Sequence, residues 1–526
     1  MAEQNWNPQG PLPRTQQEWQ QELGRWGRDL EAFHGELVRE EYLHDAGLKE
    51  ELELAPIYRR WNHLFGPQAF QRARELVRSA PEQELRRRLK RLWEFVASGF
   101  LGQEVKEEVD RLGSEEARGS VQVLGEEIPY RALSVRMANE PVRQRRRQLQ
   151  QARDAFTARL NPLREQIVER QGRLAREALG FSSYTDMYAE LKGMDLDGLA
   201  ATMTQVLEST RAFYEENFGQ ALRQACGVEL GQAEKHDVAW LLRARQWDGW
   251  FDGSRLLWAL QRTLQELGLD HLGGAGAGRV RMDTELRPRK SPRAFCAPVH
   301  VPGEVWLVIL PQGGQDDFRA LFHEAGHAYH FAGTDPDLPA EDRYLGDNTV
   351  TECYAFLLEH LVADPAWLVR RLGLSPLAAQ QYADFARLDR LYFLRRYAGK
   401  LLYEVELHRS LPVGPMAARY REILSQATGV RYGEVDYLAD VDDAFYVAEY
   451  LRAWALEVQL REYLRSRFGR EWFARREAGE FLGELWWWGQ RPDGDQLARH
   501  LGFDGVEFGP LVQELTVPDG VSGGAV

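Results

Sequence analysis

The chain has 526 residues, and 66 Lys and Arg against 80 Asp and Glu leave a formal net charge of −14. At about 150 residues per domain this length predicts three or four units with ample core, and 44% hydrophobic with 28% charged residues exclude a largely disordered chain. The acidic balance argues against nucleic acid or an anionic membrane as partner, and the longest apolar run, Val305–Leu310, falls far short of the roughly 20 residues of a membrane span.

The N-terminal stretch lacks the basic and apolar segments of a secretion signal. Cys226, Cys296 and Cys353 are isolated and form no C-x-x-C pair, which favours a reducing, cytoplasmic setting. Thr15-Gln-Gln-Glu18 reads as a capping box behind Pro13. From there to about residue 112 apolar residues recur with helical spacing, as in Trp19, Leu23 and Trp26. Ser120 to Pro129 reads as an extended stretch with a hairpin turn at its Gly-Glu-Glu centre. A long, charge-rich helical block follows from about Asn139 to Ala178, with a break suggested at Asn161-Pro162. Gly273 to Gly278 reads as a plain loop, because no lysine-bearing phosphate-binding pattern accompanies it. Three short runs around Arg279–Asp283, Arg293–Ala297 and Val305–Leu310 are the only convincing β region. Beyond residue 315 the pattern is helical again, and 516–526 reads as a frayed tail. The class is mainly α with one small β-sheet.

The chemistry concentrates just after that sheet, at Phe322-His-Glu-Ala-Gly-His-Ala-Tyr-His330. In H-E-x-x-H the two histidines are separated by about 400° of helical rotation, so His323 and His327 project from one face, one turn apart. Two imidazoles so placed can bind one zinc ion. Glu324 is displaced around the helix and is free to take the proton of the attacking water. A catalytic zinc needs a third protein ligand and an open position. His330 lies close on the same helix, but three ligands within two turns would strain a tetrahedral site, which leaves it a supporting or packing residue. Glu352 is the better third ligand, because the Pro-, Asp- and Gly-rich stretch from Gly333 to Thr349 lets a second helix fold back beside the first. Glu359, seven residues on, shares the face of Glu352 and is either a carboxylate supporting a ligand or an ordinary solvated acid.

The pattern His323-Glu-x-Gly-His327-x-x-His330, followed by Glu352 and Glu359, resembles the thimet oligopeptidase and oligoendopeptidase F group of zinc metallopeptidases, and is nearer the oligoendopeptidase F side. Ala178-Leu-Gly-Phe-Ser-Ser-Tyr-Thr-Asp186, Phe445-Tyr-Val-Ala-Glu-Tyr450 and Gln490 to Asp504 are similar to further segments of that group. The resemblance implies a two-lobed helical shell around a deep central channel, with residues 1–119 as an N-terminal helical lobe and 120–515 as the catalytic domain. It also implies one zinc ion held by His323, His327 and Glu352, with Glu324 as general base, and internal cleavage of short peptides. Tyr446 and Tyr450, four apart on one helix face, are either phenolic donors to the oxyanion or core aromatics.

One departure stands out. The group often carries a histidine shortly before the aromatic run, whereas Tyr437 to Ala444 has none and Asp440 stands near its place. An ionised carboxylate near a developing oxyanion would oppose it. Two alternatives therefore stay open: a weakened member that binds peptide or another ligand without efficient cleavage, and a zinc carboxypeptidase.

Overall fold

The computed structural model describes residues 5–273, 278–287, 289–291, 293–311 and 313–517. The expected loop at Gly273 to Gly278 lies largely outside the described residues, as does the tail from residue 518 on. Helices dominate, as the apolar spacing predicts. Strands are few: β1 (Ser120–Val123) and β2 (Glu126–Pro129) form a hairpin, while β3 (Val280–Asp283), β4 (Phe295–His300) and β5 (Glu304–Val308) form a small sheet of order β3-β5-β4. Central β5 runs parallel to β3 and antiparallel to β4. No helix among the described residues is long and apolar enough to cross a membrane.

The chain divides into two compact units, each gathered from separate stretches. The first comprises Met1–Phe100, Gln246–Asp384 and Arg452–Pro510. Its opening helix, Gln16–Asp45, starts at the expected capping box: Thr15 Oγ1 accepts from the Glu18 N–H at 3.2 Å, and the Glu18 carboxylate accepts from the Thr15 N–H at 3.0 Å. Each such reciprocal bond satisfies a backbone donor that the helix itself leaves open. Further along this helix Tyr42 stacks on Trp306 of β5 at 4.5 Å between ring centroids, and Ala46, Ala297 and Val308 are buried in the same cluster. The small sheet is thereby anchored on one long helix. The helix Gln315–Gly333 packs against all three of its strands.

The second unit comprises Leu101–Arg245, Phe385–Leu451 and Leu511–Val526, so the divide expected near residue 120 lies inside it, at the hairpin. That hairpin turns at Leu124-Gly125 rather than at Gly-Glu-Glu, because both residues take positive φ, 58° and 80°. A two-residue connection with that backbone twist matches the strands it joins, and Glu126 and Glu127 are left to pair in β2. The helix Arg143–Glu177 runs unbroken through Pro162. The proline removes one backbone bond, but residues on both sides of it are buried, and Asn161 donates its side-chain amide to the Val435 carbonyl at 2.8 Å. Tertiary packing outweighs the local break.

Asp440 belongs to this unit. Its carboxylate accepts from the Arg396 guanidinium at 2.5 Å and from the Tyr420 hydroxyl at 2.8 Å. Burial works against the charge, but Arg396 and the nearby Lys400 and Lys235 overcome it and hold the carboxyl below its ordinary range. The residue at the histidine-less position is therefore an ionised, compensated carboxylate.

His408, also in this unit, stacks on Tyr184 at 4.4 Å and has its Nε2 buried without a hydrogen-bonding partner. Burial pushes its pKa down to about 3 from 6.5. The folded form holds it neutral while the unfolded chain binds a proton below pH 6.5, so its contribution to stability is present above that pH and is lost as pH falls toward 3. Between pH 7 and pH 5 this one residue should cost about 2 kcal/mol. Urea unfolding at the two pH values is expected to show a shallower loss for His408→Phe than for the parent; equal losses would refute the assignment.

Candidate metal centre

The helix Gln315–Gly333 follows β5 through Gly313 and Gly314, whose φ values of 93° and 88° give the sharp entry. Asp317 in its first turn accepts the Gly313 N–H at 2.5 Å. Most of the helix is buried, including Phe318, Leu321, Phe322, Ala325, Gly326 and Ala328. His323, Glu324 and His327 keep partial exposure; the spacing predicts one shared face for the two histidines, with Glu324 displaced from it.

The second helix of the site, Asn348–Leu361, begins at Asp347, whose carboxylate accepts the N–H groups of Thr349 and Gly494, each at 2.9 Å. The stretch before it is more structured than its composition suggests. It carries a short helix, Ala340–Tyr344, whose Glu341 and Asp342 are buried against arginines of the helix that begins at Gln83. Arg88 meets Glu341 at 2.5 Å, and Arg87 and Arg91 meet Asp342 at 3.0 and 2.8 Å. Arg343 reaches back to Glu31 of the opening helix at 2.8 Å and to the Val301 carbonyl at 2.7 Å. These paired charges tie the middle of the connection to two long helices. The second helix then crosses the first at Gly326, where a Cβ would stand 2.4 Å from the Ala355 Cα.

That crossing brings the three expected ligands together. His323 Nε2 stands 3.5 Å from Glu352 Oε2 and His327 Nε2 stands 3.5 Å from Glu352 Oε1, the two oxygens of a carboxylate that is almost fully buried. One donor atom from each of the three residues lies within 4.8 Å of the others. Neither 3.5 Å contact is a hydrogen bond. Each is close to the separation of two ligands around one ion, about 3.3 Å for bonds of about 2.0–2.1 Å. The outer nitrogens of both histidines are engaged elsewhere. His323 Nδ1 bonds Glu359 Oε2 at 2.9 Å, and His327 Nδ1 bonds Thr351 Oγ1 at 2.9 Å. Imidazoles held in this way present Nε2 inward, which is the usual condition of metal-binding histidines. The donor set fits a divalent ion, and two imidazoles with one carboxylate suit zinc as well as manganese, iron or cobalt.

The electrostatics agree with a cation at this spot. Burial disfavours charge on His323, but Glu359, Glu352 and Glu324 around it reverse the balance and raise its pKa to about 9. Burial also opposes the charge on Glu359, but His323 and Arg319 draw its carboxyl down to about 2. Arg319 reaches Glu359 Oε1 at 3.1 Å, one turn before His323 on the same helix. Glu359 is thus a carboxylate that orients a histidine rather than a solvated acid. Glu324 is raised by burial, with the two histidines and the backbone N–H of Cys296 in β4 working the other way. It stands beside the donor trio without joining it.

His330 is fully buried and outside the trio. Its Nδ1 lies 3.2 Å from Thr351 Oγ1 and its Nε2 3.2 Å from the Gly489 carbonyl. Tyr446 and Tyr450 belong to the second unit and start the helix Tyr446–Phe468, with ring centroids 6.0 Å apart and Tyr450 stacked on Tyr397 at 5.3 Å. Reasoning from sequence did not find Arg319, Thr351 or the Cys296 N–H. An arginine one turn ahead of the first histidine was a readable signal; a threonine hydroxyl and a backbone donor offered none.

No family model and no curated protein matches the sequence. In fold, the chain is similar to a solved structure described as PZ peptidase A with inhibitor 2, at a TM-score of 0.66 and 16% identity over 96% of this chain and 92% of that one. The likeness is one of architecture along nearly the whole chain.

Proposed function

We propose that the chain is a zinc-dependent endopeptidase that hydrolyses short peptides, with His323, His327 and Glu352 as the ligands and Glu324 as general base. The observation that carries this reading is the donor trio within 4.8 Å, with the partly exposed carboxylate of Glu324, its pKa raised, beside it. The architectural likeness to a structure described as a peptidase supports it. A divalent ion at the trio would polarise the scissile carbonyl and lower the pKa of the attacking water. Glu324 takes the proton of that water and returns it to the leaving nitrogen. Its raised pKa suits both halves of the task, because a very weak base would not take the proton and a very strong one would not give it up. The Cys296 N–H holds one carboxylate oxygen and limits the rotation of the base. On the resemblance alone, the phenols of Tyr446 and Tyr450 are assigned to the oxyanion and short peptides to the substrate.

The deciding experiment is mass spectrometry of a peptide mixture incubated with the protein, with and without a chelator. Internal cleavage that a chelator abolishes and added zinc restores is the expected result. Cleavage unaffected by exhaustive metal removal would overturn the reading, and trimming confined to C-terminal residues would redirect it to a carboxypeptidase.

A further inference from the structure

We infer that Thr351 and His330 are positioning residues that fix His327 in the tautomer whose bare Nε2 faces the metal position, through a one-way chain of hydrogen bonds ending on the Gly489 carbonyl. The inference rests on the reading of His323, His327 and Glu352 as a metal site, and it concerns residues that never touch the ion.

The direction of the chain follows from donor and acceptor accounting. A carbonyl oxygen only accepts, so at 3.2 Å from the Gly489 oxygen the His330 Nε2 must carry a hydrogen and donate. His330 has no exposed surface, and its two ring nitrogens face a hydroxyl and a carbonyl, neither of them charged, so the ring is neutral. A neutral imidazole has one N–H, and its Nδ1 is therefore bare. That bare nitrogen lies 3.2 Å from Thr351 Oγ1, so it takes the only proton the hydroxyl has to give. With its proton committed, Thr351 Oγ1 can only accept from its other neighbour, His327 Nδ1, at 2.9 Å. His327 must carry its hydrogen on Nδ1, and its Nε2 lone pair points toward Glu352, 3.5 Å away.

Reversing any step leaves a buried polar atom without a partner. Were His327 to place its hydrogen on Nε2, an N–H would occupy the ligand position. Thr351 would then turn its proton to His327 Nδ1, and His330 Nδ1 would lose its donor in a fully buried site, which is the costly outcome for a polar group out of water. The two ligand histidines thus use different devices. Glu359 holds His323 by a full negative charge and would hold it equally well as a cation. Thr351 holds His327 without charge, and only because His330 fixes which way the hydroxyl points.

The far end of the chain is built by backbone. Gly489 has φ 58°, and a Cβ there would stand 2.8 Å from the Asp342 carbonyl oxygen and 2.9 Å from Thr334 Cγ2. Only glycine brings its carbonyl to this place. Thr334, in turn, donates its hydroxyl to the His330 carbonyl at 3.1 Å, securing the last turn of the helix that carries His330.

The test is nitrogen-15 NMR of the imidazoles in the full chain, zinc-loaded and after chelation, at mildly alkaline pH. His330 is expected as the Nε2–H tautomer in both states, and His327 as the Nδ1–H tautomer after chelation. His330 protonated at Nδ1, or His327 as Nε2–H or as a tautomer mixture, would overturn the proposal even if zinc binds. Expected tautomers in a chain that retains no zinc would refute the metal reading and leave the hydrogen-bond chain standing. In chelator competition Thr351→Val should weaken zinc binding by about 10- to 100-fold, and Thr351→Ser, which keeps the hydroxyl, should retain most of the affinity. Equal losses in the two variants would mean packing rather than hydrogen bonding and would overturn the proposal, as would parent-like affinity in Thr351→Val. The NMR result on the unaltered chain decides even if a variant does not fold.

Discussion

Glu324→Gln is expected to lower peptide hydrolysis by about 10³-fold, within the range of about 10²–10⁴ that general acid–base catalysis contributes, while leaving metal content unchanged. The amide has the shape of the carboxylate and keeps an oxygen that can accept the Cys296 N–H, so the local structure need not move. What it loses is the ability to take a proton. Glu324 is outside the donor trio, so metal analysis should separate this variant from one in which a ligand is changed. His323→Ala, by contrast, should lose metal and activity together. Parent-like turnover by Glu324→Gln would refute its role as base. Loss of activity with loss of metal would instead make it part of the structure of the site.

Much of this site was legible in the sequence, and what was legible has a common cause. His323 and His327 share a face because they are four residues apart, and Glu352 and Glu359 share one because they are seven apart; both are properties of a single helix. The capping box at Thr15 and the three short strands were readable for the same reason, since the residues that make them are neighbours in the chain. What was not legible involves partners far apart. Glu341 and Asp342 fall in the Pro-, Asp- and Gly-rich connection, where nothing local marks them, yet they are buried because Arg87, Arg88 and Arg91 come from a helix some 250 residues earlier. The same distance conceals the units, each assembled from stretches that no change of composition marks. Asp440 is instructive as well. In isolation a carboxylate there would oppose a developing negative charge, but Arg396, 44 residues earlier, already compensates it.

The second large effect is expected at Gly326→Ala, a change that helix propensity alone would favour by roughly 1 kcal/mol. The added Cβ would stand 2.4 Å from the Ala355 Cα, 2.5 Å from the Tyr354 carbonyl oxygen and 2.7 Å from the Ala355 nitrogen. All three are backbone atoms, so no side chain can rotate away. Ordinary contact needs about 3.5 Å, and the two helices would have to part by about 1 Å. Overpacking in a core costs typically about 1–3 kcal/mol, and contact with rigid backbone belongs at the upper end. The net expectation is a loss of about 2 kcal/mol in urea unfolding, with propensity and overpacking opposed and overpacking prevailing. The displacement acts on the ligands as well, because Glu352 lies one turn before Ala355 while both histidines lie on the other helix. A carboxylate moved by about 1 Å can no longer face both imidazoles at ligand spacing, so zinc affinity in chelator competition should fall more than stability does. A Gly326→Ala protein with parent-like stability and zinc affinity would show that the helices can separate without cost. The glycine inside the H-E-x-x-H pattern would then have no part in bringing Glu352 to the histidines.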